Sequence, residues 1–138
     1  MSIINYAKVG NTPFQKLLGH QPEIMTAWTQ LSDMLENEGT LSKALKEEIR
    51  RMLAQKNGCQ YCKAKGQPTG NLKDEKSSVC IGFTEVFLKM GDQIPDNIMQ
   101  VLKELLTEKE LVELIAFVTF TNAQQHFGAL MQLEPNIE

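Results

Sequence analysis

Several protein classes are excluded by what the sequence does not contain. No stretch approaches the roughly 18 uninterrupted apolar residues of a membrane-spanning helix, and the longest apolar run, residues 111–120, is interrupted by Glu113. Basic residues are not in excess: 14 Lys and Arg stand against 17 Asp and Glu, for a net charge of -3. The densest basic cluster, Lys46 with Arg50 and Arg51, is interleaved with Glu47 and Glu48. It reads as a solvated helix face rather than a nucleic-acid footprint. Glycine and proline are sparse, 9 and 5 of 138 residues, which argues against a fibrous or disordered chain. Residues 1–10 carry a lone Lys8 and neither an apolar run nor a small-residue cleavage site, so no secretory signal is expected. No run of period-two alternation reaches strand length, and no internal repeat stands out. Cysteine is scarce and odd in number. Three in a chain this long do not form the disulfide framework of a small secreted domain, and the expected compartment is the cytoplasm.

What the chain does contain is an apolar content of 42% arranged with helical period. Its length fits one domain spanning 1–138, with a core from about 12 to 132, able to bury roughly two-thirds of its surface without staples. Thr12-Pro13-Phe14-Gln15 has the capping-box form, and Gly19 stops that helix. A second helix is predicted over about 22–37, with Ile24, Trp28, Leu31 and Leu35 on one stripe. A third covers about 41–56, with Leu41, Leu45, Ile49, Met52 and Leu53 inward and Asn57-Gly58 ending it. Cys59 opens a short turn of helix interrupted by Gly66, Pro68 and Gly70. The stripe Val79, Phe83, Val86, Phe87 and Met90 marks a helix over about 72–90, ended by Gly91. Pro95 starts another, carrying Ile98, Val101, Leu102 and Leu105. Thr107 with Glu110 caps the most hydrophobic helix, about 111–131, expected to be central or buried between subunits; the tail from Glu134 is expected to be loose. The sum is an all-α bundle of six or seven helices.

The chemistry sits in Cys59-Gln60-Tyr61-Cys62. Cysteines at i and i+3 on a helix share a face and lie within disulfide reach. At a helix N-terminus, unsatisfied N–H groups and the dipole favour the nucleophilic thiolate, and Lys63 and Lys65 add positive charge nearby. A lowered pKa with a second thiol alongside describes a thiol–disulfide or peroxide-reducing site. Other readings are half of a zinc site with Cys80, lacking a fourth ligand, or two inert packed cysteines. Cys80 flanks an apolar stripe and reads as core filler. His20 and His126 have no ligand-like spacing to the cysteines.

The segment from Leu45 to Cys62, ending Lys-Asn-Gly-Cys-Gln-Tyr-Cys, resembles the alkylhydroperoxidase D-like branch of the carboxymuconolactone decarboxylase-like superfamily. That branch has a glutamate twelve residues before the first cysteine, where Glu47 falls, and a histidine four residues after the second. Residues 98–128, with Asn122, resemble the family's closing helices, and the likeness extends over about 12–132. The decarboxylase branch, which generally lacks the cysteine pair, fits poorly. The resemblance implies an all-α oligomer, a trimer or hexamer, with peroxiredoxin-type antioxidant activity. It needs no metal or organic cofactor, only a hydroperoxide substrate and an external dithiol electron donor of unknown identity. Carried over, Cys62 is the peroxidatic thiol, Cys59 the resolving thiol and Glu47 the relay carboxylate. The histidine position holds Gly66. If the helices flanking Asn57-Gly58 fold back as a hairpin, Glu47 and position 66 lie at similar heights, at about 1.5 Å per residue. Water, or His126 from the last helix, would then have to bridge the gap. General base assistance typically contributes about 10²–10⁴-fold, so the alternative is a redox-sensing or structural oligomer with weak or no turnover.

Overall fold

Local signals in the chain decide where its helices begin and end. In the computed structural model, which describes residues 2–135, the helices are α1 (Pro13–Leu18), α2 (Pro22–Glu36), α3 (Lys43–Lys56), α4 (Gln60–Lys63), α5 (Glu75–Met90), α6 (Asp96–Leu105) and α7 (Glu108–Leu130). Among the described residues there is no strand. Thr12, Ser42, Asp74 and Thr107 each accept a backbone N–H from the residue three positions on, satisfying a donor left over at the helix start. At Thr107 the box is complete, since the Glu110 carboxylate accepts the Thr107 N–H in return. Of the tail expected to be loose, residues 136–138 lie outside the described residues.

α3 and α7 form the centre. α5 packs on α3 and α6 on α5, whereas α2 lies on α7 with α1 beside it, and α4 closes the end between α3 and α7. The core joins Leu41, Leu45, Ile49 and Leu53 to Phe83 and Cys80 of α5, Leu102 of α6, and Leu114, Phe117 and Val118 of α7. Burial of each such side chain is worth about 1.5–3 kcal/mol. α7 is central, as its composition suggested.

Two expectations need correction. The stripe of α2 is only half used: Trp28 and Leu35 turn inward, Ile24 and Leu31 stay exposed, and no residue of that helix is fully buried. The basic cluster is not a solvated face. Lys46 is 2% exposed; its ammonium donates to the Asn37 carbonyl at 2.8 Å and pairs with Glu113 of α7 at 3.1 Å. Arg50 is also buried, and its partners lie around the dithiol. The partner of Lys46 that neutralises it comes from a distant helix, so neighbouring residues did not reveal it.

No helix among the described residues is long and apolar enough to cross a membrane.

Candidate functional site: a dithiol at the end of the central helix pair

α3 ends at Asn57, and Gly58, with φ +66, turns the chain back along it. Asn57 is fastened to α7. Its amide donates to Asn122 at 2.8 Å and Gln125 at 2.9 Å, and its side-chain oxygen accepts from His126 Nε2 at 3.1 Å. Gln125 in turn donates to the Arg50 carbonyl at 3.1 Å. The Asn57 side chain is thereby held by three polar residues within two turns of α7.

Cys59 caps α4, and its sulfur accepts the Cys62 N–H at 3.2 Å. The two cysteines are joined as a disulfide across a Cα–Cα distance of 5.3 Å, within the ordinary range. They pack with Ala54, Tyr61 and Ala129 in a small cluster apart from the main core. α4 is only four residues long. Few peptide dipoles are aligned behind the sulfur, so the helix-dipole contribution is smaller than the sequence pattern promised. The positive charge near the site is instead carried by side chains.

The sulfurs are not equivalent. Cys59 is 0% exposed and faces Gly128 of α7; a methyl group built on that glycine would stand 2.6 Å from Cys59 Sγ. Cys62, at 8% exposure, lines a cleft of about 210 Å³. Phe14, Trp28 and Tyr61 give this cleft an aromatic side; Asp33, Glu36, Arg50 and Lys65 give it a charged one. The Trp28 indole N–H is satisfied by Gln124 at 3.0 Å, and Phe127 packs behind at a centroid distance of 5.7 Å. The buried Thr29 hydroxyl, on the cleft wall, has no hydrogen-bond partner. The volume lies below the roughly 300–1,000 Å³ of sites for drug-sized ligands. It suits a small molecule or the tip of a chain.

Glu47 does not line this cleft. Its carboxylate accepts from Arg50 Nε at 2.7 Å, Arg50 Nη2 at 2.9 Å and Arg51 Nε at 2.8 Å. The Arg50 bonds foremost, outweighing burial and joined by Arg51, bring its pKa down to about 2. Arg50 then reaches past it, donating from Nη1 to the Cys62 carbonyl at 3.1 Å. Glu47 therefore touches the dithiol turn through a guanidinium. Beside it lies a second cavity of about 220 Å³, which shares Glu36, Arg50 and Lys65 with the first.

The hairpin geometry puts position 66 near Glu47, but neither water nor histidine is needed to fill the space. A methyl built on Gly66 would lie 3.4 Å from the Arg51 guanidinium, and Arg51 Nη1 donates to the Gln67 carbonyl at 3.1 Å. With φ +121, Gly66 is in a conformation that side chains rarely adopt. The loop beyond is pinned by Glu48, whose carboxylate accepts from the N–H and hydroxyl of Thr69 and the N–H of Gly70. Burial works against ionisation of Glu48, yet these bonds outweigh it and lower its pKa.

His126 does not line the cleft; it holds Asn57. His20 Nε2 donates to the Asn5 carbonyl at 2.6 Å and fixes the N-terminal arm. Lys63 is exposed. Lys65 lines the cleft with its ammonium 5.0 Å from the Tyr61 ring centroid, and burial, then Arg50, lowers its pKa. The Tyr61 pKa is raised, chiefly by burial. Cys80 sits fully buried in the main core, away from the dithiol, and burial raises its thiol pKa to about 11. It is core filler. Asp33, Glu36 and Arg50 are charged cleft residues that sequence reasoning passed over. No protein-family model matches the chain, and it has no significant match among curated proteins.

Proposed function

We propose that this protein is a thiol-dependent oxidoreductase of the alkylhydroperoxidase D-like type, cycling Cys59 and Cys62 between dithiol and disulfide to reduce small hydroperoxides. The observation that carries the reading is the asymmetry of the pair: Cys62 opens on a small cleft, whereas Cys59 is sealed behind it but bonded to it. A nucleophile must be reached by its oxidant, and a resolving thiol needs only to reach its partner. Arg50 and Lys65 in the cleft favour the Cys62 thiolate over the thiol.

In the reaction, the Cys62 thiolate attacks the outer oxygen of the hydroperoxide. The S–O bond forms, the O–O bond breaks, and the alkoxide leaves as an alcohol after taking a proton. Cys59 then attacks the Cys62 sulfenic acid; the S–S bond forms, the S–O bond breaks, and the hydroxide leaves as water with the Cys59 proton. An external dithiol reduces the disulfide and is itself oxidised. In this scheme Glu47 acts as a positioning residue, anchoring the Arg50 that holds the Cys62 carbonyl. Cycling requires a reducing compartment, in keeping with the cytoplasm. Assembly into a homo-oligomer is part of the same reading: Ile24, Leu31 and Met34 of α2 and Val112 and Leu130 of α7 stay exposed, apolar side chains that a second copy would cover.

The test is hydroperoxide-dependent oxidation of a dithiol reductant by wild type and by Cys62→Ser. Loss of turnover in the variant is expected; equal rates reject the enzyme. A redox-sensing protein without turnover is the second reading, favoured by Gly66, and it predicts disulfide formation with peroxide but no sustained consumption.

A further inference from the structure

The cleft over Cys62 contains no histidine, yet the reaction must move a proton from the thiol to the departing alkoxide. Arg50 cannot move it, because a guanidinium does not deprotonate in proteins. Glu47 is committed to two guanidiniums and faces the neighbouring cavity. Lys65 stands against the Tyr61 ring, its ammonium 5.0 Å from the ring centroid, and supplies charge to the site. Two carboxylates of α2 line the cleft, Asp33 and Glu36, and only Glu36, at the last turn, also reaches the cavity that Arg50 and Lys65 share. Glu36 lines the cleft together with Cys62 and also lines the second cavity, so it stands on the wall the two share.

We propose that Glu36 is the proton-transfer carboxylate of the dithiol site, taking the proton that Cys62 gives up in becoming the attacking thiolate and handing it to the alkoxide as the O–O bond breaks. The inference rests on the hydroperoxide reading above. The balance closes: thiol and hydroperoxide become sulfenic acid and alcohol, and the carboxylate returns to its starting state. The surroundings suit a group that must both accept and release a proton. Glu36 is exposed at the cleft mouth; partial desolvation of its carboxyl, then the charge of Asp33 on the same helix, raises its pKa, and Lys65 from the segment after α4, Arg50 from α3 and a hydrogen bond from Ser32 keep the rise in check. A carboxylate lifted toward the working pH is the better general acid–base catalyst. Lys65 and Arg50 also keep an anion tolerable beside a thiolate.

The test is Glu36→Gln, read in two reactions of the fully reduced protein: single-turnover oxidation by tert-butyl hydroperoxide, and alkylation of Cys62 by iodoacetamide, which needs no proton donor. The amide removes a negative charge beside the thiol, so alkylation at neutral pH stays equal or rises. Oxidation falls by at least about tenfold, the lower side of what general acid–base assistance supplies. Opposite responses of the two reactions are the signature of proton transfer. If both rates fall together, Glu36 is merely structural; if oxidation is unchanged, the proton travels by another route, and either result overturns the inference. A wild-type protein that is alkylated at Cys62 but does not react with the hydroperoxide defeats the peroxidase reading itself, and this inference with it.

Discussion

Gly128→Ala probes how the central helix holds the resolving sulfur. In the oxidised protein an added methyl would stand 2.6 Å from Cys59 Sγ and 3.7 Å from Cys62 Sγ. Favourable heavy-atom contacts lie near 3.5–4.0 Å, so the first distance is short by about 1 Å. In a helix interior, alanine is ordinarily better than glycine by about 1 kcal/mol. Overpacking of this kind costs typically about 1–3 kcal/mol. The penalty falls on the disulfide form, because the bond fixes the Cys59 side chain, whereas a free thiol can rotate away. The oxidised state should therefore lose about 1–3 kcal/mol relative to the reduced one. At roughly 30 mV per 1.4 kcal/mol for a two-electron couple, the reduction potential should rise by about 20–65 mV. Equilibration in glutathione buffers followed by alkylation and mass measurement gives the potential, and thermal melts of both forms separate the helix gain from the clash. An unchanged potential, with both forms melting higher, would show that α7 does not press on Cys59.

Gly66→His should not raise the peroxide rate. The positive φ and the adjacent Arg51 oppose a side chain there, and a loss of stability of about 1–2 kcal/mol is expected by denaturant titration; a large rate gain would contradict this geometry. Glu113→Gln leaves the Lys46 ammonium buried without its counter-charge. It should cost about 3–5 kcal/mol, on the order of 10 °C in melting temperature, and a loss under about 1 kcal/mol would refute the buried pairing. Glu47, Glu48 and Glu113 all have lowered pKa values, Glu47 from 4.5 to about 2. Their contribution is present above the unfolded-state value near 4.5 and is lost as pH falls through the folded values. Melting temperature should fall from about pH 5 toward pH 2, and for the Glu47 part the variant Glu47→Gln should show a shallower fall.

Most of the fold was legible because helix boundaries are local. Proline at a helix start, a threonine accepting from three residues on, and glycine after Met90 act within a turn of chain, and all are where the pattern put them. The dithiol was legible for the same reason, since i and i+3 cysteines need no distant information. Facing and pairing were less so. Lys46 and Glu113 are 67 positions apart, so nothing near Lys46 betrayed its burial. Arg50 looked like a surface cation because its purpose, the Cys62 carbonyl, exists only after the chain folds back. The α2 stripe looked like one core face although half of it points outward. Glu36, an ordinary acid at a helix end, gains interest only when α3, α4 and the segment after α4 close around it. The guanidiniums between Glu47 and the dithiol turn were not legible either, since Arg50 and Arg51 read as surface cations.

The central claim is that the two sulfurs divide the work, one reaching out and one waiting behind. Fully reduced protein treated with less than one equivalent of iodoacetamide, digested and mapped by mass spectrometry, reads that division directly. The account predicts the label on Cys62, with Cys59 and Cys80 nearly unmarked. Label shared equally among the three, or found first on Cys59, would contradict it.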